Sequence, residues 1–304
     1  MLDVRRLRVL AEFASHGTVA AAAQALHLTG PAVSQQLAVL EREAGVPLLE
    51  KRGRTLHLTG AGRRLVDHAH VLLGNLAAAE SDLAALRHGE RGTIRVAAFA
   101  SAARTIIPSL WPEPGVAPAP EEPAVFLVEH EPPAAETALG RREVDIAVTH
   151  SYSLLPRPVP AGCEETSLFD EPVHLVLHPA DASDYRLAPG SQADLRQFAD
   201  APWLLPGPET ACHEMTQRAC GAAGFVPRAA AVAGDFAVLT ALVARRAGVA
   251  LIPHMALPAP GPNLSIHTLR VPVHRSVNAL HRSGTGRQPG IRHVLERLTA
   301  PLDG

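Results

Sequence analysis

Residues 18–44 read TVAAAAQALHLTGPAVSQQLAVLEREA, and this stretch sets the architecture of the amino-terminal region. Thr18 is placed to cap a first short helix whose apolar positions are Val19, Ala22, Ala23 and Leu26. Thr29 is placed to cap a second, with Pro31 in its first turn, where a missing N–H costs nothing. Val33, Leu37 and Leu40 follow at helical spacing and form one buried stripe. The small Ala22–Ala23 pair lets the two helices cross closely. Upstream, Leu7, Leu10, Ala11 and Ala14 make a helical stripe that Gly17 stops. Downstream, LLEKRGRTLHLTGAG (48–62) reads as a β-hairpin turning at Gly53, with Lys51, Arg52 and Arg54 near its tip. Three helices and a basic hairpin predict a winged helix-turn-helix that binds double-stranded DNA. Thr29, Pro31, Ser34, Gln35 and Gln36 occupy the exposed start of the recognition helix. Gln35 has the geometry to bond adenine in a bidentate way, and Arg52 and Arg54 are placed for phosphates. Gln36 reads equally well as a solvated helix face, and Thr29 as a cap alone.

The chain has 304 residues, 47% of them hydrophobic and 19% charged, which predicts a globular protein of two or three domains. The net charge of −2 is unevenly spread. Residues 1–66 carry nine Lys/Arg against five Asp/Glu, leaving 19 basic and 25 acidic residues for the remainder. A basic front on an acidic body suits a nucleic-acid-binding head joined to a domain of another role. Three cysteines predict a reducing compartment without a disulfide framework. The opening MLDVRRLRVL is unlike a signal peptide, and no apolar run is long enough to span a membrane, so the expectation is a cytoplasmic protein.

After Thr59, Leu65, Ala69, Leu72, Leu76, Ala79, Leu83 and Leu86 alternate by four and three residues. This heptad pattern predicts a long helix that pairs with a second copy. HGERG (88–92) then breaks it. Beyond Thr93 the period changes. TIRVAAF (93–99), VFLV (125–128), VDIAV (144–148), VHLVL (173–177), WLL (203–205) and VALIP (249–253) read as buried strands. Helical stretches at 134–142, 209–224 and 235–248 separate several of them. The pattern predicts an α/β body with largely parallel sheets, interrupted by the Pro-rich stretch 111–123. Ser101 and Thr149 follow strand ends, where ligands sit in open α/β sheets.

Taken together, PAVSQQLAVLEREAGVPLLEKRGRTLHLTGAG (31–62), LGRREVDIAV, FDEPVHLVLHP and LVARRAGVALIP resemble the LysR-type transcriptional regulators over nearly the whole chain. Gly30 stands where that family usually has Gln, which removes one base-reading side chain. The resemblance implies a winged helix-turn-helix (1–58), a dimerising linker helix and hinge (59–92), and a periplasmic-binding-protein-like effector domain (93–304). Its lobe I would comprise 93–164 and 267–304, and lobe II 165–266. It also implies a homodimer or homotetramer, an operator, RNA polymerase as a further partner, and a small effector in the interlobe cleft. Thr29, Ser34 and Gln35 match the family's DNA-contact positions, and Pro206, Gly207 and Asp235 join Ser101 and Thr149 as effector-site residues by the same resemblance.

Two other readings start from reactive side chains. Cys212 and Cys220 are similar to the cysteine pair of peroxide-sensing family members, which makes a thiol redox switch the main alternative. At i, i+8 on one helix, however, they would lie roughly 12 Å apart, beyond disulfide reach. An enzyme carrying a DNA-binding head would need a catalytic constellation. HEMTQ (213–217) lacks the second histidine of a zinc pair, and no nucleophile elbow, phosphate loop or dinucleotide fingerprint is present, so no catalytic residue, metal or cofactor is expected.

Overall fold

The computed structural model describes residues 2–53, 55–88, 92–119, 122–188, 190–259 and 261–300; at helix positions 75 and 77–88 it describes the backbone alone. The head comprises α1 (Val4–His16), α2 (Val19–Ala25), α3 (Gly30–Ala44) and a hairpin of β1 (Leu49–Arg52) and β2 (Thr55–Leu58). The expected caps form: Thr18 Oγ1 accepts from Ala21 N at 3.2 Å and Thr29 Oγ1 from Ala32 N at 3.4 Å. Leu7, Leu10, Phe13, Ala22, Val33 and Leu40 make the core where the three helices cross. Glu41 Oε1 accepts from Leu48 N at 2.8 Å and Leu49 N at 3.0 Å, which fixes the hairpin to the end of α3.

The long helix α4 spans Gly60–His88, roughly 43 Å at 1.5 Å per residue. Its entry is set by Gly62, where an added Cβ would lie 2.1 Å from Leu48 O, so only glycine lets helix and hairpin meet. The heptad stripe divides. Leu65 and Ala69 pack into the core of the head, whereas Leu72 and Leu76 are 49% and 45% exposed. The first two positions therefore belong to the chain's own fold and not to a seam between chains. The side chains of Ala79, Leu83 and Leu86 lie outside the described residues, as does the segment 89–91.

Lobe I begins with β3 (Thr93–Ala98), α5 (Ala100–Thr105), β4 (Ala124–Glu129), α6 (Pro132–Gly140) and β5 (Ile146–Tyr152). The long β6 (Cys163–Leu177) leads into lobe II, which holds α7 (Pro179–Asp184), β7 (Pro202–Pro206), α8 (Ala211–Ala222), β8 (Arg228–Ala233), α9 (Phe236–Val243), β9 (Ala250–Pro253) and β10 (Ser265–Thr268). The chain returns through β11 (His274–Arg282) and ends in α10 (Pro289–Thr299), which packs Ile291, Val294 and Leu298 against Val96 and Ile146.

The sheets are mixed, which corrects the expectation of largely parallel ones. β4, β3 and β5 are parallel, as are β7 and β8. β11 runs antiparallel to both β5 and β6, and β6 antiparallel to β9 and β10. The reason is connectivity: the chain passes between lobes twice, and the two crossing strands run in opposite directions. β6 pairs with β11 as far as Pro172 and with β9 from Val173. Val173 N also donates to Val273 O at 2.8 Å. The lobes therefore divide near 172 and 273, later in the chain than the 165 and 266 read from sequence. β8 was not foreseen, because RAAAVA has the composition of a helix; pairing with β7 overrides propensity. Residues 111–119 form neither helix nor strand, as their prolines require.

α4 also touches lobe I. A Cβ on Gly74 would lie 2.4 Å from Ser283 O, and one on Gly162 (φ +76°) 2.2 Å from His70 Nδ1. Gly74 thus brings helix and lobe into backbone contact, and Gly162 makes room for the His70 ring of the helix against lobe I.

Candidate functional site: an exposed recognition face and a buried interlobe cleft

On the head, Thr29, Pro31, Ser34 and Gln35 are exposed together along the first turns of α3. Gln36 is placed differently. It is half-buried, and its Oε1 accepts from Arg6 Nε at 3.2 Å, while Arg6 also pairs with Glu43. Its amide ties α1 to α3, and the spacing of the helix had not distinguished it from Gln35. Lys51 and Arg52 are exposed at the hairpin tip, where Arg52 Nη2 lies 2.6 Å from Glu50 Oε1. Such an exposed pair is worth little and yields readily to a phosphate. Arg54 lies outside the described residues.

The second site is a narrow cleft of about 40 Å³ between the lobes. Lobe I contributes Phe99, Ser101, Arg104, Glu131 and His150; lobe II contributes Pro206, Thr210, Cys212, Asp235 and Phe236. Arg275, the second residue of β11, forms its floor with 1% of its surface exposed. Its Nε donates to Glu171 Oε1 at 2.5 Å and its Nη2 to Ser101 Oγ at 3.2 Å. The guanidinium carbon stands 5.1 Å from the Phe99 ring centre, within cation–π range. Glu171 Oε2 accepts in turn from Met255 N at 2.5 Å. One charge network therefore joins lobe I, both crossing strands and lobe II. Burial alone lowers the Arg275 pKa, but neighbouring Tyr152 and Glu171 more than offset this and the net shift is upward.

Two further groups complete the interior. His150 sits edge-on to Phe99, with ring centres 4.6 Å apart, and its Nδ1 has no partner among the described residues. Burial pushes its pKa down, which keeps the imidazole neutral, although Glu131 at 3.9 Å pulls the other way. Tyr152 Oη and Cys212 Sγ lie 2.7 Å apart. Burial raises the Cys212 thiol to about 11, partly countered by that hydrogen bond, and the Cys220 thiol to about 12. Both cysteines are free and buried, so each is held as an unreactive thiol.

The structure thus brings Ser101, Pro206 and Asp235 to one cleft. Asp235 also caps α9, its Oδ1 accepting from Ala237 N at 2.8 Å. Gly207 stands outside the wall, but its carbonyl accepts from Thr210 Oγ1 at 2.7 Å and so positions Thr210. Thr149 does not join the site. Strand β5 runs on to Tyr152, and alternation puts Thr149 with Ala147 on the opposite face, opposite Asn278, where it lines a separate small recess. Its neighbour His150 faces the cleft instead. Sequence reading also missed Arg275 and Glu171. The available signal was a charge beside the apolar run of each crossing strand, in EPVHLVL and HRSVNAL, and it was diluted by Glu164, Glu165 and Asp170 in β6 and Arg282 in β11. Among the described residues, no group of three or more His, Cys, Asp or Glu side chains is placed to hold a metal, and no helix is long and apolar enough to cross a membrane.

Head and cleft together define a two-part molecule: a DNA-reading module carried by a two-lobed α/β domain. A family model for the LysR substrate binding domain matches residues 87–302, and one for the bacterial regulatory helix-turn-helix protein, lysR family, matches residues 4–63. The chain belongs to the LysR family. It is similar to the HTH-type transcriptional regulator MetR of Haemophilus influenzae, at 36% identity over 32% of this chain and 31% of that protein. It is also similar to the regulator CbbR of Xanthobacter flavus, at 31% identity over 59% of this chain and 51% of that protein. The chain thus spans about a third and about half of the length of these two curated relatives. Among solved structures, full-length CbnR in complex with its target DNA has the same fold, with a TM-score of 0.53 at 23% identity over 98% of this chain and 99% of that one.

Proposed function

We propose that this protein is a DNA-binding transcriptional regulator whose operator binding or activation is set by a small polar or anionic effector held between the lobes. The observation that carries this reading is the Arg275 network. A buried charge that contacts Ser101 in lobe I and, through Glu171, Met255 in lobe II makes the lobe angle responsive to whatever enters beside it. A ligand that prefers one angle shifts the population toward it. The exposed Ser34 and Gln35 read base edges, and Lys51, Arg52 and Arg54 hold phosphates. The exposed Leu72 and Leu76 of α4 supply a contact for a second copy, giving a homodimer or homotetramer on a pseudo-palindromic operator in the cytoplasm, within reach of RNA polymerase.

The test has two stages. Selection of bound sequences from a random DNA pool should return paired half-sites. A metabolite screen by thermal shift on the full chain should then find a compound whose effect grows with its concentration over Kd. Ser101→Ala should reduce that shift while operator affinity without effector stays unchanged. An effector whose shift survives both Ser101→Ala and Thr210→Ala would place the ligand elsewhere.

A further inference from the structure

A second recess lies on the far side of lobe II, independent of the cleft and of the function proposed for it. It is a groove open to solvent, about 370 Å³ in volume. Its walls are apolar and small: Ala219 and Ala222 of α8, Leu154 of the turn after β5, and Val271 and Val273 before β11. At one rim, Asp194 is shared by two arginines. Arg196 reaches it at 2.5 Å and Arg270 at 3.0 Å. Both arginines are 63% exposed, and among the described residues neither pairs with another acid. The hydrogen bond from Arg196 leads the causes that hold the Asp194 carboxyl down at about 2, so it stays ionised and still balances only one of the two cations.

We propose that this groove binds a small amphipathic carboxylate, its apolar body against α8 and Val271 and its headgroup on Arg196 and Arg270. The rim fits one anion because one guanidinium charge is uncompensated, and guanidinium matches carboxylate geometry. The alanines leave the width that an alkyl chain or a flat ring fills. The place also has a consequence for motion. Leu154 O accepts from Arg218 Nη1 of α8 at 2.9 Å, and Arg270 N donates to Ala193 O at 2.9 Å. The turn after β5, 153–155, and the crossing segment 269–273 therefore both run along this groove, and an occupant would brace them against lobe II.

The probe is sodium decanoate below its micelle concentration, titrated calorimetrically into the full chain, with 1-decanol as the uncharged control. One site per chain is expected. Arg270→Ala should weaken decanoate about tenfold, as expected for losing one charge-assisted contact, and Ala222→Trp should abolish binding by filling the groove. Val271→Glu, at a residue 75% exposed, provides a second blocking variant should the tryptophan variant not fold. Ser101→Ala should leave decanoate binding intact, which separates this site from the cleft. The proposal is overturned if decanoate does not bind, if 1-decanol binds as tightly, or if Arg270→Ala and the groove-blocking variants leave its affinity unchanged. It is equally overturned if sedimentation shows Ala222→Trp splitting an oligomer while decanoate gives no heat, since a second copy would then cover the groove.

Discussion

The recognition face of the head and the interlobe cleft solve opposite problems. Ser34 and Gln35 are exposed on one continuous helix. Arg275 is sealed under both lobes and committed to Glu171 and Ser101, residues far away in the chain. A hydrated face is free to change specificity without changing stability. A buried network cannot, because each charge is tolerated only through its partner.

The sharpest test of that contrast is Arg275→Ala. It leaves Glu171 buried without its cation, and the effector domain should lose about 3–5 kcal/mol in a denaturant titration. The double variant Arg275→Met, Glu171→Leu should recover much of this, because it removes both charges together. If the single and double variants were equally unstable, the network would count for its packing and not its charge. Gln35→Ala should lower discrimination at one operator position by roughly 1–3 kcal/mol, with an unfolding midpoint unchanged from the parent. A midpoint that fell with it would erase the distinction between the regions.

Smaller effects should follow on each side. Thr29→Ala removes the cap on α3 and should cost the head about 1 kcal/mol, read from its unfolding transition. Arg52→Ala should weaken binding to every DNA sequence alike and flatten the salt dependence by about one unit. The last expectation concerns pH. Burial lowers the His70 pKa below 6.5 despite the opposing charges of Asp67 and Glu12, with Arg142 adding to the lowering. The docked form therefore binds fewer protons than a form with His70 in water. Contact between α4 and lobe I should be complete above pH 6.5 and should weaken as pH falls from there through the lowered value. Hydrogen exchange of α4 near His70, corrected for intrinsic rates, should show this, and His70→Gln should remove it.

The same contrast governs what could be read without coordinates. Thr18, Thr29 and Gly17 act on their own helices, so caps and breaks were legible residue by residue. Gln36 was ambiguous because its partner, Arg6, lies on another helix. In the cleft, Ser101, Pro206 and Asp235 were placed by strand ends and by resemblance. Thr149 was misplaced because β5 extends past its apolar run, and a one-residue error in a strand changes faces. Arg275 and Glu171 were invisible as a pair. They sit in crossing strands whose antiparallel pairing is a property of the whole chain path, and no local period encodes it.

The glycine contacts at 74 and 162 carry a mechanical meaning. They fasten lobe I to the helix that holds the head: Gly74 meets the Ser283 carbonyl with no side chain between, and Gly162 seats the His70 ring directly on its backbone. Lobe I and α4 then move as one frame, and β6 and β11 are the axle on which lobe II turns. A change in the cleft alters the bearing of lobe II while lobe I and the helix that carries the head keep their relation. In this frame the signal is an angle, and it is delivered to whatever neighbours lobe II.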